Sequence, residues 1–145
     1  MEAKRLNYKG VNIAYYYYPG GGDGMILLHG YSFNSKVWEE IELPEALNKL
    51  GLGVIALDVP GFPQSANKLV MNESEMVLLI GELAKGINGR VFVLGASASA
   101  HMALKFAEEK GEEVSGVIVV GPASVKGIDT DKVKARVLAV WGGGG

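Results

Sequence analysis

Val91-Phe92-Val93-Leu94-Gly95-Ala96-Ser97-Ala98-Ser99-Ala100-His101-Met102-Ala103-Leu104 reads as a buried strand, a sharp turn with one serine at its tip, and a helix. A backbone that folds back on itself needs small neighbours, and Gly95, Ala96, Ala98, Ser99 and Ala100 are all small. The stretch follows the nucleophile-elbow pattern G-x-S-x-G, in which a strained strand-to-helix turn lifts a serine hydroxyl above a parallel sheet. Ser99 stands where the pattern has its last glycine. It reads as a substitute for that glycine at the helix start rather than as a second nucleophile.

Outward from the elbow the same grammar repeats. Short, nearly continuous apolar runs at 25–28, 54–57, 91–94, 117–120 and 137–141 suit strands buried on both faces of a parallel sheet. Helical patterns lie between them. Ser35 is placed to cap a segment carrying Val37, Trp38 and Ile41, with Pro44 as an interruption before Ala46, Leu47 and Leu50. Asn72 with Glu75 forms a capping-box signature ahead of Met76, Ile80, Leu83, Ala84 and Ile87. After the elbow, Ala100, Ala103, Leu104 and Ala107 share one helix face. Residues 5–8 and 11–18, split by Lys9-Gly10, predict an antiparallel hairpin at the sheet edge. The fold class is therefore α/β, a mostly parallel twisted sheet with an antiparallel edge hairpin and helices on both faces. One domain is expected over 1–141, followed by a glycine tail at 142–145 that reads as a cut or an appended linker.

Composition narrows the function classes. With 14 Lys and Arg against 16 Asp and Glu, and no basic cluster, there is no electrostatic case for nucleic acid or a membrane surface as partner. The absence of cysteine removes disulfides and thiolate chemistry. No apolar run approaches the roughly 20 residues of a membrane span, and no secretory signal core follows Met1, so a cytoplasmic protein is expected. Two distant histidines offer no metal-ligand spacing, and Gly95 to Ala100 lacks the later glycines of a dinucleotide fingerprint, so no metal or other cofactor is expected.

Four motifs together resemble the amino-terminal part of the α/β-hydrolase fold family. Leu27-Leu28-His29-Gly30-Tyr31-Ser32 is similar to its His-Gly oxyanion loop, and Asp58-Val59-Pro60-Gly61-Phe62-Pro63-Gln64-Ser65 to its D-x-P-G-F-G-x-S loop, with Pro63 for a glycine. Gly95 to Ser99 matches the elbow, and Val137-Leu138-Ala139-Val140-Trp141-Gly142 resembles the strand leading to the catalytic acid. The resemblance implies a strand order of 1-2-4-3-5-6-7 without a lid, and a serine hydrolase acting on a small ester or similar acyl substrate. Ser97 would be the nucleophile, its alternative being a small polar residue in a tight turn. The backbone N–H groups of Ala98 and Tyr31 would hold the oxyanion; the Tyr31 side chain equally suits an aromatic covering the sheet edge.

The base and acid are harder to place. A serine hydroxyl needs a base to take its proton and a third group to orient that base. His29 suits either holding the oxyanion loop or, less well, acting as surrogate base. His101, one helical turn after Ser97, is expected at the surface near Lys105. Asp58 is expected to fix its own loop, and Asp129 to cap a short helix with Asp131. In the family the acid and the histidine come later than Gly145, so weak or no turnover is expected from this chain. A non-catalytic engineered scaffold or fragment, dimerising or complementing a partner through an exposed sheet edge, is the alternative.

Overall fold

A computed structural model describes residues 1–121 and 125–141. The expected glycine tail, and with it Gly142 of the last motif, lies outside the described residues. Among the described residues β1 (Glu2–Tyr8), β2 (Val11–Tyr18), β3 (Gly24–Leu28), β4 (Gly53–Leu57), β5 (Val91–Ala96), β6 (Gly116–Val120) and β7 (Arg136–Val140) form one sheet. Its order is β1-β2-β4-β3-β5-β6-β7, as the resemblance implied. β1 pairs with β2 and β2 with β4 antiparallel, and the remaining pairs are parallel. The hairpin turns through Lys9 at φ 51° and Gly10 at φ 83°, two consecutive left-handed residues of the kind a two-residue loop requires.

Alternation along the strands sorts the core into two layers. Ile26, Leu28, Ile55, Leu57, Val93, Val117 and Val119 face α3 (Glu73–Ala84) and α4 (Ala98–Glu109), in one cluster with Met76, Ile80, Leu104 and Phe106. Met25, Leu27, Val54, Ala56 and Leu94 face the other way and pack with Trp38 of α1 (Lys36–Glu40) and Leu47 of α2 (Leu43–Lys49). Phe106, absent from the predicted apolar face of α4, is fully buried. The position of a Cβ on Gly81 of α3 lies 3.8 Å from its ring, so α4 buries a second stripe against α3 as well as one against the sheet.

Two helix-start readings require correction. Ser35 precedes α1, but its hydroxyl makes no cap bond; its backbone N–H instead donates to Asp58 Oδ1 at 2.9 Å. The break between α1 and α2 falls at Glu42, in a left-handed conformation (φ 59°), and Pro44 lies in the first turn of α2. A proline there starts a helix, because its missing N–H would have had no partner in any case. The Asn72 capping box forms as predicted, with Glu75 N–H donating to Asn72 Oδ1 at 2.9 Å and Asn72 N–H to Glu75 Oε1 at 3.1 Å.

The join from β5 to α4 depends on Gly95. A Cβ on Gly95 would lie 2.4 Å from the Ser99 carbonyl oxygen and 2.9 Å from the Ala100 Cα, both on the backbone of the helix that follows. Neither can yield without displacing the first turn of α4. Gly95→Ala is expected to lower stability by about 1–3 kcal/mol, the usual cost of overpacking. The urea midpoint reads this; an unchanged midpoint would mean that the turn relaxes freely.

Candidate active site

The loops that follow β3, β4 and β5 lie together at the C-terminal edge of the sheet, where an open parallel sheet places its ligands. Ser97 stands there at φ 54°, ψ −118°, outside the regions that residues with a side chain normally occupy. Such a conformation costs about 1–3 kcal/mol and persists only when its surroundings hold it. Ser97 N–H donates to the Val120 carbonyl of β6 at 2.8 Å, and the Ser97 carbonyl accepts from Ala100 N–H at 3.0 Å. The hydroxyl does not cap the helix, and Ser97 and Ala98 are both exposed. The bend therefore leaves an exposed serine whose hydroxyl has no hydrogen-bond partner among the described residues.

The loop after β3 lies against the elbow. A Cβ on Gly30 would sit 3.5 Å from Ser97 Cβ and 3.4 Å from Phe33 Cδ2, so this glycine leaves a methyl-sized notch beside the serine. The Gly30 carbonyl accepts from Phe33 N–H at 3.1 Å and lies 2.8 Å from His29 Nδ1. Because a trans peptide is planar, fixing that carbonyl also fixes the direction of the Tyr31 N–H on the same plane. Among the described residues neither Tyr31 N–H nor Ala98 N–H donates to a backbone carbonyl. The Tyr31 side chain is 55% exposed and tilts over Phe62 at a centroid distance of 5.2 Å.

His29 is fully buried, and both of its ring nitrogens are engaged. Val59 N–H donates to Nε2 at 2.9 Å, so the ring proton sits on Nδ1 and is donated to the Gly30 carbonyl. No ring nitrogen is left to receive a proton from Ser97. Of the two roles read for His29, holding the loop is the one its hydrogen bonds perform. Burial lowers its pKa below the usual 6.5, outweighing the Gly30 hydrogen bond and the nearby Asp58 charge.

The remaining polar residues are bound up in structure. Asp58 does more than fix its own loop, since its carboxylate accepts from Ser35 and so ties the β4 loop to the β3 loop. Asn67, which sequence reasoning passed over, bonds both backbone groups of Ala14 and the Asp58 carbonyl, pinning the β4 loop to β2. His101 is half-buried rather than a free surface ring. Its Nδ1 lies 2.9 Å from Glu73 Oε2 and its Nε2 2.9 Å from the Lys126 carbonyl, so it bridges α3, α4 and the segment after β6. Asp129 accepts from Asp131 N–H at 3.1 Å at the start of a 3-10 turn over Thr130–Lys132. Ser99 is fully buried, and its hydroxyl donates to the His29 carbonyl at 2.6 Å. A hydroxyl at a glycine position was the only sequence signal of that bond. Among the described residues no three His, Asp or Glu side chains gather as a metal-ligand set, and no helix is long and apolar enough to cross a membrane.

The buried His29 makes stability depend on pH. In the unfolded chain the ring takes up a proton near pH 6.5, whereas the native ring resists it. Its contribution is complete above about pH 6.5 and is lost as pH falls through the lowered native value. A plot of urea midpoint against pH is expected to fall below pH 6.5 in the wild type and to be flatter there in His29→Asn. Parallel profiles would remove His29 as the source.

Comparison with known proteins agrees with this fold. A family model described as alpha/beta hydrolase fold matches residues 24–143. The chain is 30% identical over 123 residues to Protein ABHD14A of Danio rerio, covering 81% of this chain and 46% of that protein. It is 30% identical over 134 residues to the human protein named "Putative protein-lysine deacylase ABHD14B", covering 83% and 59%. The chain thus spans about half the length of the curated relatives it matches. Its structure superposes on a predicted CIB-like hydrolase from Thermoplasma acidophilum with a TM-score of 0.83 and 27% identity, covering 98% of this chain and 73% of that one. The sheet order, the bend at Ser97 and the family match over most of the sequence lead to one conclusion: this chain belongs to the α/β-hydrolase fold family.

Proposed function

We propose that the chain is a serine acyl hydrolase whose 145 residues supply the nucleophile and the oxyanion site but not the proton acceptor. The observation that carries this reading is the strained, exposed Ser97 with an uncommitted hydroxyl beside the Gly30 notch. Ser97 Oγ adds to the carbonyl carbon of a small acyl substrate, and the carbonyl π electrons move onto oxygen. The N–H groups of Tyr31 and Ala98 meet that negative charge; one such donor lowers the barrier by roughly 3 kcal/mol. Collapse expels the alcohol or amine, which takes the proton, and water then releases the acid from the serine ester. Simple esters suit the site, and the name of the human relative adds N-acylated lysine to the candidate substrates.

The proton from Ser97 needs an acceptor, and both histidines of the chain are engaged in structural bonds. An external base is therefore expected to accelerate acylation. With p-nitrophenyl acetate, the acetyl mass gained by the protein should appear slowly and rise at least about tenfold with added imidazole, well within the reach of general-base catalysis. Ser97→Ala should gain none. Efficient unaided turnover that Ser97→Ala abolishes would overturn the external base, and equal acetylation of Ser97→Ala would overturn the nucleophile.

A second reading rests on β7. All five of its residues are exposed, and the face it shares with Phe92 and Ile118 has no helix over it among the described residues. An unpaired apolar edge is a template for another strand. The favoured occupant is a second copy, paired antiparallel about Leu138. A two-fold arrangement sets the strand's one charge, Arg136, against Val140, whereas parallel pairing would oppose Arg136 to itself. Sedimentation is expected to show a concentration-dependent dimer that Val137→Pro disrupts. A monomer at every concentration, or a dimer indifferent to that proline, would overturn it.

A further inference from the structure

We propose that Ser99 is a positioning residue, holding the two halves of the oxyanion site at a fixed separation through its hydrogen bond to the His29 carbonyl. This inference deepens the hydrolase reading and takes its functional consequence from it. The two N–H donors lie on different segments: Ala98 on the first turn of α4 and Tyr31 on the loop after β3. An oxyanion can use both only if that spacing is set before the charge develops. Ser99 is the residue after Ala98, and His29 stands two before Tyr31. Their bond, 2.6 Å long and buried, ties the first turn of α4 to the loop after β3 within two residues of each donor.

The loop side of the bridge is rigid by a second set of bonds. His29 takes Val59 N–H on Nε2 and gives its Nδ1 proton to the Gly30 carbonyl, which also accepts from Phe33 N–H. The 30–31 peptide plane therefore has two donors on its carbonyl. The 29–30 plane has one: among the described residues Ser99 Oγ is the only donor to the His29 carbonyl. That plane adjoins Gly30, whose backbone lacks the restraint of a Cβ. Removing the hydroxyl leaves it without a restraint on its carbonyl and breaks the side-chain tie between loop and helix.

Chemistry and geometry can be read separately. In Ser99→Ala the acetylation rate constant at saturating p-nitrophenyl acetate, with imidazole supplied, is expected to fall about tenfold while the half-saturating ester concentration stays unchanged. That is less than the 10²–10³ lost with a whole donor, because the N–H remains but is misplaced. Independently of activity, amide hydrogen exchange at Phe33, whose N–H bonds the Gly30 carbonyl, should quicken about tenfold, a smaller effect than full loss of protection. Ser99→Thr keeps the hydroxyl and should restore both readouts, and thermal unfolding identifies any variant that has lost its fold. If Thr does not fold, Ser99→Cys, a weak donor of similar size, should fall between the wild type and Ala.

Exchange at Phe33 unchanged in Ser99→Ala, or quickened equally throughout the protein, would overturn the positioning role. A local quickening with an unchanged rate constant would overturn its link to acylation. If Ser97→Ala acetylates as fast as the wild type, the hydrolase reading fails, while the exchange at Phe33 still decides whether Ser99 holds the loop.

Discussion

The backbone at Ser97 stands at φ 54°, ψ −118°, and the C-terminal edge of the sheet is arranged around keeping it there. A residue with a side chain adopts that geometry only under constraint from both sides. On the strand side the constraint is pairing with β6, continued one residue past the strand by the Ser97 to Val120 bond. On the helix side it is α4, packed against both the sheet and α3 with Phe106, Ala103 and Ala107 fully buried. Gly95 lets the two meet, because no side chain fits between strand and returning helix. Relaxing the bend would mean withdrawing either the strand or the helix from a core already packed.

The polar residues of this edge serve the same end. His29, Asp58, Asn67 and Ser99 are all buried, and each links two segments distant in sequence. A buried polar group without a partner costs about 1–3 kcal/mol, and these four avoid that cost through the bonds they make. The consequence for chemistry is direct. A group that satisfies two backbone bonds is a good loop anchor and a poor proton acceptor. The residues that a triad search would select first are those the fold has already taken for construction.

The two faces of the sheet are not equally served. α3 and α4 cover one face, whereas α1 and α2 cover the part of the other centred on β3 and β4 and reaching Tyr18 of β2 and Leu94 of β5. Phe92, Ile118 and Val120 are half-buried on that second face, and β7 is exposed along its length. Stabilisation is thus concentrated at the centre of the sheet, beneath the elbow. β7 draws its restraint mainly from backbone pairing with β6 and from the side chains it shares with that strand.

By itself the sequence determined the layout: strand runs, the hairpin at Lys9-Gly10, the Asn72 capping box and the elbow. These are local matters of periodicity, turn chemistry and small side chains within a few residues of one another. It was less reliable where two local signals competed, so that Ser35 looked like a cap and Pro44 like a break. Only the tertiary structure decided what the polar residues do. His29 meets Val59, Ser99 meets His29, Asp58 meets Ser35 and His101 meets Glu73 across separations of 23 to 70 residues. Those partners are chosen by strand order and by which loops share an edge, and neither is written in the residues flanking each histidine or serine. A hydrogen bond takes whatever acceptor the packed chain brings within about 3 Å, and the sequence does not encode that distance locally.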